Sequence, residues 1–120
     1  MNKKIFYILP SYNEALNLNL LLNKFKNFFK SKNINILIVI VDDGSADNSI
    51  EIIKKFIKKT STKKFNIKII QHKENLGLGM ALKTGFNYCF LNGNDEDILI
   101  TMDTDNSHTI DLSYKMAEKI

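Results

Sequence analysis

A three-layer α/β/α domain on a mostly parallel sheet is the fold class this sequence predicts, on three observations. Apolar, strand-like runs alternate with amphipathic helical stretches four times along 120 residues. The run at 34–41, INILIVIV, is near-continuous rather than alternating, as expected of a parallel strand buried on both faces. A polar, acidic or glycine-bearing cluster directly follows each run, at the carboxyl end of a strand where such sheets hold their ligands.

Taken in order, residues 3–9, KKIFYIL, are β-branched and aromatic and read as a strand that stops at Pro10. From Glu14 to about Lys30, Leu18, Leu21, Leu22, Phe25, Phe28 and Phe29 recur at helical spacing. Residues 34–41 are the second strand. DDGSADNS follows as a loop, and Ile50, Ile53, Phe56 and Ile57 mark a second helix with Asp47 or Ser49 as its N-cap. FNIKIIQH, 65–72, is a third strand, and NLGLG, 75–79, a glycine-bearing turn. Residues 80–91 form a third helix ended by NGND, DILITM (97–102) a fourth strand, and Asp111 to Ile120 a fourth helix. No repeat or linker interrupts this order, so residues 1–120 are expected to form a single domain.

Composition narrows the chemistry. Hydrophobic residues make up 44% and charged ones 25%, ordinary for a globular protein. One cysteine, Cys89, excludes an intrachain disulfide and any multi-cysteine metal site, and fits a reducing cytoplasm. The start of the chain does not read as a signal peptide, because its apolar stretch breaks at Pro10. No segment approaches the ~20 apolar residues needed to span a bilayer. The net charge is +4, and every basic residue is a lysine. Without arginine forks, an anion site here must use lysine, backbone N–H groups or a metal.

The clusters have separate chemical readings. In an extended segment, Asp103 and Asp105 project to one side with Thr104 turned away. Two carboxylates so close repel, unless a hard cation such as Mg²⁺ or Mn²⁺ lies between them; a solvated loop or a helix cap is the alternative. Adjacent Asp42 and Asp43 face opposite ways, so one can reach a cleft while the other braces the Gly44–Ser45 turn. Gly77 and Gly79 precede a helix but match neither a P-loop nor a GxGxxG fingerprint, and a tight turn explains them equally well. His72 reads as a structural hydrogen-bonder, and His108 sits inside the acidic cluster. The lysine-rich stretch 54–64 reads as a solvated helix face, with an anionic membrane surface as the alternative.

ILPSYNEALNL, IVIVDDGSADNS, NLGLGMALKTGF and ILITMDTDNSH resemble, in order and spacing, the N-terminal half of family 2 glycosyltransferases, inverting enzymes of the GT-A fold. NLGLG and MDTDNSH are most similar to the branch related to dolichyl- or polyprenyl-phosphate mannose synthases. The resemblance implies that Pro10, Tyr12 and Glu14 contact the base and ribose of a nucleotide, and that Asp42, with Asp43 beside it, is the carboxylate at the base or ribose. It implies that Gly77, Gly79 and Lys83 line the sugar-nucleotide side. Asp103, Thr104 and Asp105 match a DxD motif that binds Mg²⁺ or Mn²⁺ on the diphosphate, and Ser107 falls where relatives often place a glutamine near the metal.

The partners implied are a UDP- or GDP-sugar and a lipid-phosphate or glycan acceptor. No nucleic acid is implied, and an oligomer is compatible. A cytoplasmic location follows, with peripheral contact at the cytoplasmic membrane face compatible with a lipid acceptor. No acidic residue here reads as a base for the acceptor, so the chain is expected to be the donor-binding portion of a truncated enzyme. The alternative is a non-catalytic sugar-nucleotide-binding or half-domain fragment. A phosphorelay receiver fits less well, because DD follows the second strand and QHKEN the third.

Overall fold

Strand and helix alternate through the whole chain. A computed structural model describes residues 3–105 and 110–120. The elements run β1 (Lys4–Ser11), α1 (Ala15–Phe29), β2 (Asn35–Asp42), α2 (Ser49–Thr60), β3 (Phe65–Gln71), α3 (Leu78–Asn92), β4 (Ile98–Thr101) and α4 (Ile110–Glu118). The four strands are all parallel and lie in the order β3-β2-β1-β4.

The period of two along each strand divides the core between the faces of the sheet. Ile5, Tyr7 and Leu9 of β1 and Ile36, Ile38 and Ile40 of β2 cluster with buried residues of α1, α2 and α4. Phe6, Ile8, Val39 and Val41 cluster with Ala81 and Cys89 of α3. The first cluster holds the aromatic centre. Phe25 meets Tyr7 edge-on at 4.7 Å, and Phe28 and Phe29 both pack on Tyr114. The buried Tyr7 hydroxyl hydrogen-bonds Ser113 at 2.9 Å and so ties α4 to β1.

One element departs from the sequence expectation in an informative way. β1 continues through Pro10 to Ser11 instead of stopping at the proline. Asp43 N–H donates to Ser11 O, toward β2, whereas Met102 N–H donates to Ile8 O, toward β4. Backbone direction alternates along a strand, so Pro10 faces the β4 side, and β4 has already ended at Thr101, opposite Ile8. The N–H that proline lacks would have had no ladder partner there. The remaining element boundaries agree with the sequence expectation to within one or two residues.

Candidate functional site

From β1 the chain steps outward through β2 to β3, then returns to place β4 on the other side of β1. A reversal of strand order of this kind opens a crevice at the carboxyl ends of the strands, where α/β sheets bind ligands. A cavity of about 420 Å³ lies there, and all four post-strand segments contribute to its wall.

The tip of β1 gives Pro10, Ser11, Tyr12 and Glu14 to this cavity. Tyr12 is 47% exposed, a ring held at the mouth. Ser11 is buried, and its hydroxyl has no hydrogen-bond partner among the described residues. A buried polar group without a partner costs roughly 1–3 kcal/mol. The turn that follows is pinned from the β2 side. Asn13, at φ 52°, accepts the Ala46 amide on its side chain and donates its own N–H to Ser45 Oγ. Asp47 accepts from the Ala15 amide at the start of α1 and from the Ser49 hydroxyl and amide at the start of α2. Partial desolvation pushes this exposed carboxyl upward, but the bonds from Ser49 and Ala15 prevail and hold it below its ordinary value.

The two aspartates after β2 divide their tasks. Asp42 is fully buried and accepts from Ser45 Oγ at 2.6 Å and Ser45 N at 3.1 Å; it braces the turn and is not part of the cavity wall. Asp43 is on the wall. Its Oδ1 accepts from His72 Nδ1 at 2.8 Å and Leu76 N at 2.9 Å, and its Oδ2 from Gly77 N at 2.9 Å. Burial pushes this carboxyl upward, but the bonds from His72, Leu76 and Gly77 prevail and hold it below the usual carboxylate value.

Beyond β4 the backbone leaves the sheet and turns, so Asp103, Thr104 and Asp105 are not an extension of the strand. Asp103 and Asp105 both still line the cavity. Asp103 and Asp105 are exposed, while Thr104 is buried and donates to Pro10 O at 3.4 Å. Among the described residues no three His, Cys, Asp or Glu side chains gather as a metal cage. Two carboxylates on one cavity wall are a donor set suited to Mg²⁺ or Mn²⁺, which take their other oxygens from water and phosphate.

Gly77 is on the wall, as the sequence reading expects, but Gly79 and Lys83 are not, and Lys83 is exposed on α3. Ser107 and His108 lie outside the described residues. Sequence reasoning missed Ser11, Asn75, Leu78 and Ala81, all wall residues, and the attachment of His72 to Asp43.

Comparison with known proteins agrees with this geometry. Residues 7–120 match the family model described as glycosyl transferase family 2. The chain belongs to this glycosyltransferase family. The UDP-N-acetylglucosamine–dolichyl-phosphate N-acetylglucosaminyltransferase of Methanococcus voltae is 31% identical over 99% of this chain and 48% of its own length. The dolichol-phosphate mannosyltransferase of Pyrococcus furiosus is 30% identical over 98% of this chain and 30% of its own. The chain thus spans half or less of the length of these curated relatives.

Among solved structures, S. aureus TarS 1–349 in complex with UDP superposes with a TM-score of 0.70 at 23% identity, covering 97% of this glycosyltransferase chain and 32% of that one. The mannosyltransferase PcManGT from Pyrobaculum calidifontis, in complex with GDP-Man and Mn²⁺, gives 0.67 at 20% identity, covering 88% and 28%. At these identities the likeness establishes the fold, which is GT-A.

Proposed function

We propose that this family 2 chain is the donor-binding part of an inverting glycosyltransferase that moves a sugar from a nucleoside-diphosphate sugar to a lipid phosphate or another glycan. The observation that carries the reading is the convergence of Asp103 and Asp105 with Tyr12, Ser11 and Asp43 on one cavity at the switch point of the sheet. The relatives in M. voltae and P. furiosus are named for dolichyl-phosphate acceptors, which favours a polyprenyl phosphate. TarS and PcManGT were solved with UDP and with GDP-Man and Mn²⁺, which favours a diphosphate nucleotide and a divalent ion.

In this reading Pro10, Tyr12 and Glu14 receive the base and ribose. Asp43 and Gly77 form the wall behind it, and Asp42 keeps the β2 turn in place without touching the donor. Asp103 and Asp105, with Ser107 near them, would hold Mg²⁺ or Mn²⁺, which when bound offsets the negative charge that develops on the departing diphosphate. Thr104, clamped to Pro10, fixes the β4 turn against β1 so that both carboxylates stay at the cavity. A phosphate acceptor is already ionised at neutral pH, so transfer to it asks for no general base from this chain. No helix among the described residues is long and apolar enough to cross a membrane, and a lipid-phosphate acceptor would be met from the membrane surface on the cytoplasmic side.

The test is calorimetry of UDP and GDP binding with and without Mn²⁺. Wild type is expected to bind one of them in a Mn²⁺-dependent way, and Asp103→Ala and Asp105→Ala each to abolish that dependence. Heats unchanged in both variants would refute the metal assignment.

A further inference from the structure

His72 follows β3 directly, and its N–H donates to Asp42 O at 2.8 Å, carrying the strand pairing one step past the sheet. Its ring, 10% exposed, sits between two partners. Nδ1 lies 2.8 Å from Asp43 Oδ1, and Nε2 lies 2.8 Å from Thr84 Oγ1 on α3. An ionised carboxylate only accepts, so Nδ1 carries the proton toward Asp43. In the neutral ring Nε2 then accepts from the Thr84 hydroxyl; in the imidazolium it donates to the same oxygen. Threonine serves both cases, so α3 anchors the ring whatever its charge.

The Asp43 carboxylate gathers donors from two places: the His72 ring, and the Leu76 and Gly77 amides. A second and independent contact joins the same loops. Gly44 packs so close to the 74–75 backbone that a Cβ there would lie 2.5 Å from Glu74 C and 2.6 Å from Asn75 N. Asn75, Gly77 and Leu78, which border these contacts, line the cavity.

We propose that His72 is a positioning residue: by fixing the Asp43 carboxylate against the Leu76 and Gly77 amides, it sets the 75–78 wall of the donor pocket, and with it the affinity for the nucleotide. The inference rests on the donor-binding reading above. A ring that merely filled space would affect overall stability and could not be replaced by a smaller polar side chain. A positioning ring can be replaced in part. Asparagine places an amide nitrogen as many bonds from Cα as Nδ1, so it can still donate to Asp43 while failing to reach Thr84.

The experiment uses the 120-residue chain and the variants H72A, H72N and T84V, with two readouts. In ¹H–¹⁵N spectra, H72A is expected to shift the Leu76 and Gly77 amides and to speed their hydrogen exchange about tenfold or more, the scale of a lost hydrogen bond to a charged group. The amides of Ile8 and Ile40, deep in the sheet, should keep their positions. H72N should restore most of the change, and T84V should give a smaller shift in the same direction. By calorimetry with Mn²⁺, whichever of UDP and GDP binds wild type should bind H72A about tenfold or more weakly and recover in H72N.

The proposal is overturned if the Leu76 and Gly77 amides are unmoved in H72A, or if H72N behaves like H72A. It is also overturned if the affinity loss merely follows a loss of folded protein. Should H72A fail to fold, H72N and T84V decide: amides and affinity near wild type in both accept the positioning role, and a loss in H72N that T84V does not share overturns it. Should wild type bind neither nucleotide, the donor reading fails, and the spectra alone accept or reject the positioning role.

Discussion

Replacing Gly44 by alanine tests how tightly the loops after β2 and β3 are joined. Gly44 sits at φ +76°, and an added Cβ would lie 2.5 Å from Glu74 C, 2.6 Å from Asn75 N and 2.9 Å from Glu74 Cα. These are backbone atoms and cannot swing aside as the end of a side chain would. The left-handed conformation costs a residue with a Cβ about 1–2 kcal/mol, and forcing the backbones apart costs roughly 1–3 kcal/mol more. The stiffer unfolded chain returns about 0.4–1 kcal/mol. The net loss is about 2–4 kcal/mol, a large share of the roughly 5–15 kcal/mol that holds a domain together.

At this chain length the loss lowers the melting temperature by about 8–16 °C. Two sister substitutions separate the contributions. Gly77→Ala meets nothing within 4 Å but keeps φ +99° and ψ 162°, a conformation essentially confined to glycine, so strain alone should cost about 1–3 kcal/mol. Gly79→Ala lies in α3 with open space and should be neutral or stabilise by about 0.5 kcal/mol. Thermal and urea unfolding of the three variants give the order directly. A Gly44→Ala protein no less stable than Gly77→Ala would refute the reasoning, because it would mean that the two loops do not touch.

Two further outcomes follow from titratable groups that the fold perturbs. Asp43 and Asp47 are held below their ordinary value of 3.8, so their contribution is complete above that value and is lost as pH falls through the lowered ones; Asp43→Asn should therefore flatten the acid limb of stability against pH, and an unchanged limb in urea titrations from pH 6 to 2 would contradict it. Burial pushes the Cys89 thiol up to about 11, with Lys4 opposing only in part, so a disulfide reagent at pH 8 should label the unfolded chain readily and the native chain hardly at all; fast native labelling would show that α3 does not cover the thiol.

Much of this fold could be read from residue patterns, because IVIV at 38–41 and the 3–4 spacing of Leu18, Leu21, Leu22 and Phe25 state burial directly. Pro10 was the exception, since whether a proline ends a strand depends on which neighbour its missing N–H would face, and that is a property of the sheet. The site was legible at the level of segments. All four post-strand clusters meet at the cavity because parallel strands bring their carboxyl ends to one edge.

Individual side chains were harder. Alternation says that Asp42 and Asp43 face opposite ways but not which one faces the cavity. Ser11 fell in the polar cluster after the first strand with no role of its own, and only packing puts it on the cavity wall. Lys83 carried a usable signal: Ala81, Gly85 and Cys89 are the buried residues of α3, and their spacing of four turns position 83 outward.

The central position of β1 has a consequence for synthesis. Its hydrogen-bonding edge toward β2 is met early, at Asn35 and beyond, but its other edge waits for β4, as the bond from Lys4 N to Asp97 across 93 residues illustrates. At translation rates of about 5–20 residues per second, that edge stays unpaired for roughly 5–20 s on the ribosome. During this interval an apolar strand is offered to any passing neighbour, and Asp103 and Asp105 have not yet emerged. Nascent-chain pausing between residues 42 and 97 would prolong the interval and, with it, the exposure of this edge to aggregation.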